Sequence, residues 1–181
     1  MNHPLNLMID LETFGQDIGS AIMTIGAIGA DKDGIDREFY TRIDLKSCQE
    51  AGLKIDADTV YWWLGQSDAA REEISKCRKA NQLVEALADF AIWIAHHFGE
   101  NVKVWSLGAS FDIPMLAHAY RSMNMVVPWK FWNERCFRTL RAMYPEIKNP
   151  ATDGIAHNSL DDARSQYRHM NLILDAIASK A

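Results

Sequence analysis

The sequence predicts an α/β domain in which helices pack against a mixed β-sheet. Three segments with a strand pattern follow one another between Leu5 and Leu45, which is typical of an antiparallel meander. After them, helical and strand patterns alternate, and this order favours a mixed sheet flanked by helices. A chain of 181 residues is long enough for one ordinary domain, so we expect residues 1–181 to form a single unit.

The predicted strands rest on alternation of apolar and polar residues and on one continuous apolar run. Residues 5–11 and 38–45 alternate, whereas residues 21–30 are apolar nearly throughout, which indicates a buried strand. The Asp-Gly pair at 33–34 is a hairpin-turn signal between the second and third strands. A fourth strand is predicted at residues 102–107.

The predicted helices combine apolar residues at helical spacing with capping residues in their first turns. Gly99 is expected to end the longest central helix, because glycine readily adopts the left-handed conformation that closes a helix. An aromatic-rich loop at 128–133 and a polar loop at 145–155 separate the later helices. Asp58, Ser67 and Ser159 are candidate N-caps of three helices, and further helices are expected to begin at Asn81, Asp112 and Cys136.

Composition excludes several classes of protein. Apolar residues make up 48% of the chain and charged residues 24%, which is ordinary for a globular protein and unlike a disordered or collagen-like chain. The longest apolar stretch, residues 21–30, is shorter than the ~18 residues that a membrane span needs. The N-terminus lacks a signal-peptide pattern, and the three cysteines form no C-x-x-C pair. We therefore expect a cytoplasmic protein with no membrane partner, disulfide framework or structural zinc site.

Basic residues are concentrated in one segment of an otherwise acidic chain. The net charge is −5, yet residues 121–148 contain six basic and two acidic residues. Such a stretch can contact phosphates, and it can equally be the solvated face of a helix. Charge alone does not decide between these interpretations.

Two carboxylates lie on one face of the first predicted strand. Side chains two apart in a strand point the same way, so Asp10 and Glu12 are neighbours, roughly 7 Å apart along the backbone. The apolar residues that alternate with them, Leu7, Ile9 and Leu11, are expected on the core face. Neighbouring carboxylates in a buried strand repel each other, and a divalent cation such as Mg²⁺ or Mn²⁺ removes that penalty. The alternative is that the strand emerges into solvent at Asp10 and the pair is hydrated.

Further candidates lie near predicted helix starts. Asp112 opens a helix after strand 102–107, so it is either an ordinary N-cap or a ligand at the sheet edge where α/β proteins bind ligands. Asp161 and Asp162 suit the first turn of the last helix through its dipole. At about 100° per residue, Asp162 lies nearer the protein body and is the better ligand candidate. His157, just upstream, is a candidate general base or an ordinary surface residue.

Taken together, these motifs resemble the DEDDh group of 3′–5′ exonucleases. They occur in the group's order, each on the expected element, between Met8 and about Arg168. His157 is typical of this group, since the sister group has a tyrosine one position later, where this chain has Asn158. The motifs are Asp10-Leu11-Glu12-Thr13, then Ser110-Phe111-Asp112, then His157 followed five residues later by Asp162.

Tryptophan-rich segments make the chain most similar to a ribonuclease T-like bacterial and prophage branch of that group. This resemblance implies a ribonuclease H-like fold, with a mixed five-stranded sheet of three antiparallel and then parallel strands, flanked by helices. Leu11 departs from the pattern, because many members have threonine there, but its place on the core face predicts no damage to catalysis. The segments are Trp62-Trp63, Val104-Trp105-Ser106 and Trp129-Lys130-Phe131-Trp132.

The resemblance also implies a mechanism. The expected reaction is metal-dependent hydrolysis of single-stranded RNA or DNA from the 3′ end, releasing nucleoside 5′-monophosphates. Two divalent ions, Mg²⁺ or Mn²⁺, are implied roughly 3.5–4 Å apart. Asp10 is expected to bridge them, Glu12 and Asp162 to complete the first site, and Asp112 to hold the second. His157 is expected to take the proton from the attacking water. A homodimer is expected because many relatives form one.

Substrate contacts are expected beside these motifs. Thr13 and Phe14 directly follow the first motif and are placed to meet the terminal nucleotide, Phe14 by stacking on its base. Phe111 can stack in the same way, although core packing explains it equally well. Trp62 is a candidate stacking platform, but in an adjacent tryptophan pair one ring is typically core and the other covers it. Arg138, in the basic segment, is a candidate phosphate contact.

Two alternatives share parts of this pattern. A catalytically idle nucleic-acid-binding or assembly module is expected to have lost at least one acid or the histidine, and this chain retains all five. An endonuclease of the ribonuclease H-like type shares the metal chemistry but does not predict the spacing from His157 to Asp162. The sequence therefore favours an exonuclease and does not separate RNA from DNA.

Overall fold

The computed structural model describes residues 5–108, 110–149 and 157–179. Five strands form one sheet in the order β3-β2-β1-β4-β5. The first three strands pair in antiparallel fashion, whereas β4 and β5 run parallel to β1, which confirms the predicted mixed sheet. The strands are β1 (Asn6–Thr13), β2 (Ile22–Ala30), β3 (Asp36–Arg42), β4 (Lys103–Ser106) and β5 (Glu134–Cys136).

Seven α-helices and one 3₁₀ turn (Phe131–Asn133) lie within the described ranges. None of these helices is long and apolar enough to cross a bilayer. The helices are α1 (Leu45–Glu50), α2 (Ala57–Leu64), α3 (Asp68–Cys77), α4 (Leu83–His97), α5 (Asp112–Ser122), α6 (Phe137–Met143) and α7 (Ser159–Ala178).

The sheet has a different set of helices on each face. The larger core lies between β1, β2 and the helices α4 and α5, and it contains the three apolar side chains Leu7, Ile9 and Leu11, as predicted. The opposite face of β1 carries Met8, which packs in a second core with residues of α6 and α7. The alternation along β1 therefore decides that its polar positions, Asp10 and Glu12, share the α7 side of the sheet.

The start of α7 is held directly against β2. A side chain at Gly26 would come within 2.2–2.4 Å of the backbone of Ser159 and Leu160, so only glycine permits this approach. The Ser159 hydroxyl also shares a 2.8 Å hydrogen bond with that of Thr24. Because Gly26 pairs with Asp10 across the sheet, this packing places the first turn of α7 beside the acidic face of β1.

Two elements differ from the sequence prediction. The third strand ends at Arg42 and the short helix α1 follows, where the alternation predicted a strand to residue 45. Strand β5 lies where the pattern indicated a loop and a helix start. Its three residues have too little periodicity to indicate a strand, and pairing with β4 forms it.

Two predicted helix boundaries are confirmed, and two predicted N-caps are wrong. Ser67 caps α3 as predicted, and Gly99, with φ of 70°, follows the end of α4 as predicted. The predicted cap of α2 at Asp58 is wrong, because Asp56 accepts the bond from the Thr59 amide. The predicted cap of α7 is also wrong: Asn158 takes this role.

Candidate active site

Asp10 and Glu12 lie at the C-terminal end of β1, on the face that α7 covers. Glu12 is 9% exposed and Asp10 is half-buried. The side-chain amide of Gln166, on α7, donates a 2.7 Å hydrogen bond from Nε2 to Asp10 Oδ1. These carboxylates are held between the sheet and a helix. The alternative, in which the strand emerges into solvent and water hydrates the pair, is therefore wrong.

Asp112, the first residue of α5, also lies at the C-terminal end of β1. Pairing between β1 and β4 stops at Met8 and Trp105, so the Leu11 amide has no partner strand on that side. Asp112 Oδ1 accepts this amide at 3.2 Å, and Ser106 lies close enough to the carboxylate to lower its pKa. The alternative that Asp112 is an ordinary N-cap is wrong, because Phe111 occupies the cap position of α5 and the Asp112 carboxylate instead joins α5 to the end of β1.

The first turn of α7 supplies the remaining groups. The Asn158 side chain accepts the amides of Leu160 and Asp161, which begins the helix. The backbone amide of His157 hydrogen-bonds to the Asp162 carboxylate. His157 has φ of 64°, a left-handed conformation that is strained for a residue with a side chain and is common at functional sites.

These elements converge on one cluster. Glu12, His157 and Asp162 each present a potential ligand atom, and the three atoms lie within 4.8 Å of one another. Such separations allow one cation or one water molecule to contact all three groups. Asp161 lies outside this cluster and pairs with Arg164, Oδ1 to Nη1 2.8 Å apart, which agrees with the prediction that Asp162 is the inward-facing acid.

The electrostatics of the cluster favour a cation. Burial is the largest cause of raised pKa values: it raises the pKa of Glu12 to about 8 and the pKa of Asp10 well above its usual range, and repulsion between the carboxylates adds to both. The pKa of Asp162 is raised by burial as well, with the charge of His157 opposing the shift. The pKa of Asp112 rises only to about 6, because the hydrogen bond from the Leu11 amide and the nearby Ser106 side chain stabilise its charged form.

The donor set fits divalent ions. Four carboxyl groups provide hard oxygen ligands of the kind that Mg²⁺ and Mn²⁺ prefer, and their mutual repulsion is relieved when cations bind. The carbonyl oxygen of Gln166 adds a buried acceptor that has no hydrogen-bond partner among the described residues. Both the repulsion between the carboxylates and the unpaired Gln166 oxygen indicate that the site is completed by groups that the described part of the protein does not supply.

A cleft of about 1060 Å³ opens beside the acidic cluster. Its walls include Glu12 and Thr13 from β1, Trp62 and Trp63 from α2, and Phe111 from the loop before α5. Trp62 is 46% exposed, whereas Trp63 is 1% exposed and donates from Nε1 to the Thr13 carbonyl. As the sequence suggested, one ring of the tryptophan pair, Trp63, belongs to the core, and the other, Trp62, covers it.

Trp62 also contacts His157, one member of the acidic cluster. The centroid of Trp62 lies 4.9 Å from that of His157, with the two planes at 82°, an edge-to-face contact. Phe111 is half-buried and packs partly against the core. Trp62 and Phe111 thus present aromatic surface on the cleft walls near the carboxylates.

Thr13 and Phe14 are both largely buried, and of the two only Thr13 lines the cleft. The Thr13 hydroxyl donates to the Gly15 carbonyl at 2.7 Å and braces the turn after β1. Phe14 is 4% exposed and its ring lies 6.3 Å from that of Trp63 within the main core. This burial leaves little ring surface for a base and does not support stacking by Phe14.

Arg138 is brought to the site by α6. The side chain is exposed, its guanidinium lies near Gly108, and its charge lowers the pKa of Asp112. Of the two interpretations of the basic segment, this position favours a phosphate-contacting role for Arg138 over a purely solvated helix face.

Sequence reasoning missed Gln166, Ser106 and His118. Gln166 follows Asp162 by four residues, so helical spacing was a usable signal for a shared face. Ser106 lies near Asp112 across the turn after β4, and no local pattern indicates this proximity. His118 lines the cleft from α5, and no local pattern distinguishes it from a surface residue.

We expect the cation-free protein to lose stability as the pH rises from about 5 to about 8. Since the pKa of Glu12 is raised from 4.5 to about 8, the folded state keeps a proton that the unfolded state has released across this window. Each such group lowers the free energy of unfolding by about 1.4 kcal/mol per pH unit. Urea unfolding in EDTA at several pH values measures the slope. The slope should flatten in Glu12→Gln, and an unchanged slope there would contradict the assignment.

Known proteins with a similar sequence agree on the class of reaction. A family model described as the 3′-5′ exoribonuclease Rv2179c-like domain matches residues 5–174. An exodeoxyribonuclease of Enterobacteria phage T4 is 26% identical over 202 residues, covering 93% of this chain and 88% of the phage protein. The two descriptions differ in the sugar, ribose or deoxyribose, and agree on an exonuclease.

Solved structures show the same fold. The nuclease domain of 3′hExo, a DEDDh family member bound to rAMP, superimposes with a TM-score of 0.64 at 10% identity, covering 96% of this chain and 93% of that one. E. coli Exonuclease I in complex with dA16 gives a TM-score of 0.67 at 15% identity over 96% of this chain, which spans 41% of that protein. The ribonuclease H-like architecture is therefore confirmed.

The family match extends over nearly the whole chain, and the fold agrees with it. Divalent metal ions are implied for a DEDDh exonuclease, and the clustered carboxylates fit that chemistry. The chain belongs to the 3′-5′ exoribonuclease Rv2179c-like domain family and is a 3′–5′ exonuclease of the DEDDh type.

Proposed function

We propose that residues 1–181 act as a single exonuclease domain that removes nucleotides from the 3′ end of single-stranded RNA or DNA, using two Mg²⁺ or Mn²⁺ ions and His157 as the general base. The observation that carries this proposal is the convergence of Glu12, His157 and Asp162 within 4.8 Å at the end of β1. Family membership establishes the exonuclease class, and the cluster supports this mechanism.

Four residues are proposed to hold the cations: Asp10, Glu12, Asp112 and Asp162. When bound, divalent cations neutralise the crowded carboxylates, acidify a coordinated water and stabilise charge on the attacking and leaving oxygens. Three separate contacts fix the ligand set in advance: Gln166 on Asp10, the Leu11 amide on Asp112, and the His157 amide on Asp162. This preorganisation favours catalysis because little rearrangement is needed at the moment of reaction.

His157 is proposed to accept the proton of the attacking water. Its ring lies beside Glu12 and Asp162, so a water held between these groups is within hydrogen-bonding reach of the imidazole. The water attacks the terminal phosphodiester in line as its proton passes to His157. The 3′ oxygen of the preceding nucleotide leaves, and a nucleoside 5′-monophosphate is released.

The cleft walls suit the end of a single strand. Trp62 and Phe111 offer aromatic surface on which a base can stack, and such stacking tolerates any sequence. Arg138, near Asp112, is proposed to contact a backbone phosphate. Exonuclease I was solved with deoxyoligonucleotides and 3′hExo with rAMP, which supports a strand end in this cleft and leaves both sugars as candidates.

The homodimer stays a prediction. Light scattering of the purified protein tests it directly, and a mass of one chain, about 20.5 kDa, would contradict it.

A matched digestion tests the proposed function. Labelled at the 5′ end, single-stranded RNA and DNA of the same sequence are incubated with Mn²⁺, Mg²⁺ or EDTA, and each has a copy with a blocked 3′ end. We expect a cation-dependent ladder that shortens from a free 3′ end and is absent in Glu12→Gln. The faster substrate identifies the preferred sugar. Internal fragments from blocked strands would favour an endonuclease, and intact strands in every lane would favour an idle binding module.

A further inference from the structure

Gln166 is a buried polar side chain beside the site that the proposed mechanism does not use as a ligand. It lies on α7 one helical turn after Asp162 and is 9% exposed. Its Nε2 donates to Asp10 Oδ1 at 2.7 Å, a contact between residues 156 positions apart in sequence. The contact therefore joins the last helix to the carboxylate at the centre of the ligand set.

The chemistry of this contact determines the orientation of the amide. A flipped amide would place its carbonyl oxygen against a carboxylate oxygen, and two acceptors at this distance repel each other. With Nε2 towards Asp10, the carbonyl oxygen Oε1 is buried, and it has no hydrogen-bond partner among the described residues. A buried unpaired acceptor is unfavourable for folding. Packing alone does not explain such a residue, since a methionine of similar size avoids the penalty.

A neutral donor has an advantage at this position. A lysine or arginine would also donate to Asp10, but its positive charge would compete with a cation for the same carboxylate. An amide hydrogen occupies one acceptor position on Oδ1 and leaves the others of the carboxylate open. Glutamine therefore holds the rotamer of Asp10 without neutralising it.

We propose that Gln166 is a positioning residue that holds the Asp10 carboxylate in the orientation required for cation binding. This inference rests on the proposed function, because it assigns Asp10 to the cations. Hydrogen bonds that orient metal ligands typically change metal affinity by roughly 10–100-fold. Gln166 acts through Asp10 and makes no contact with substrate in this role.

The test compares two variants of Gln166 with a neighbouring control. Gln166→Met keeps the volume and removes the donor, and Gln166→Asn keeps the amide but shortens its reach by one carbon. Ser165→Ala is the control: Ser165 is buried on the same helix and its hydroxyl accepts the Asn149 side chain at 3.0 Å. Mn²⁺ affinity of the cation-free protein is measured by titration calorimetry without substrate, together with thermal melting, kcat and KM.

Both Gln166 variants are expected to weaken Mn²⁺ binding by roughly tenfold or more and to lower kcat, with KM for the oligonucleotide little changed. Gln166→Met should change the melting temperature in EDTA only a little, because removing a buried unpaired acceptor offsets the loss of the donor to Asp10. Ser165→Ala should bind Mn²⁺ like the wild type.

Two results would overturn the inference: wild-type Mn²⁺ affinity in both Gln166 variants, or an equal loss in Ser165→Ala. A wild-type protein that binds no Mn²⁺ gives a different answer, since it contradicts the proposed metal-dependent function itself. The inference about Gln166 then falls with it.

Discussion

Asp162→Asn is expected to reduce nucleotide release by roughly 10³-fold or more, because it removes one carboxylate from the proposed cation site. Asparagine has nearly the same shape and its carbonyl oxygen can still accept the His157 amide, so the first turn of α7 should be preserved. The substitution also removes a negative charge that repels Glu12 and Asp10. The cation-free variant should therefore melt at the same temperature as the wild type or higher. Turnover, Mn²⁺ affinity and melting in EDTA together measure this effect.

The neighbouring acid provides a matched control. Asp161 pairs with Arg164 at the surface, and its side chain is 21% exposed. Ion pairs of this kind contribute about 0–1 kcal/mol, so Asp161→Asn should retain nearly full turnover and lose little stability. An inactive Asp161→Asn beside an active Asp162→Asn would overturn the assignment of the ligand. Alanine at Asp10, Glu12 or Asp112 is expected to abolish turnover in the same way.

His157→Asn is expected to lower kcat by roughly 10²–10⁴-fold while cation binding is retained, which is the usual contribution of a positioned general base. Asparagine is chosen because the φ of 64° at this position suits it better than alanine, so the backbone amide should stay on Asp162. Single-turnover rates with a labelled oligonucleotide measure the chemical step, and calorimetry measures Mn²⁺ affinity.

A loss of Mn²⁺ affinity in His157→Asn would assign a different role to His157. The His157 ring atoms lie as close to Glu12 and Asp162 as a shared ligand would. If turnover and Mn²⁺ affinity fall together by tenfold or more, His157 is a ligand and not the base. A variant with wild-type turnover would remove His157 from the mechanism altogether.

The fold was largely predictable because its main elements have strong local patterns. Strand β1 alternates cleanly, β2 is a continuous apolar run, and α4 and α7 carry long apolar stripes. The elements that the sequence missed, α1 and β5, are six and three residues long. Such short elements have almost no periodicity, and contacts with neighbouring strands stabilise them.

The candidate site was predictable in membership and less so in its contacts. The choice of Asp162 over Asp161 followed from helical spacing, and the structure agrees. The capping role expected of Ser159 was wrong because its hydroxyl bonds to Thr24, 135 positions away. Local propensity does not reveal a competing hydrogen-bond partner that is distant in sequence and comes near only in the folded protein.

By itself, the sequence determined the residue types of the site, their order along the chain and the face of each element on which they lie. Periods of two and 3.6 residues are local properties, and they suffice to place Asp10 and Glu12 on one shared face of β1 and Asp162 on the side of α7 nearer the protein body. Only the tertiary structure decided that Gln166 holds Asp10, that Asp112 accepts the Leu11 amide, and that Trp63 is core while Trp62 is exposed. These outcomes depend on burial and on hydrogen bonds between distant segments, and those energies arise only when the sheet and its helices pack together.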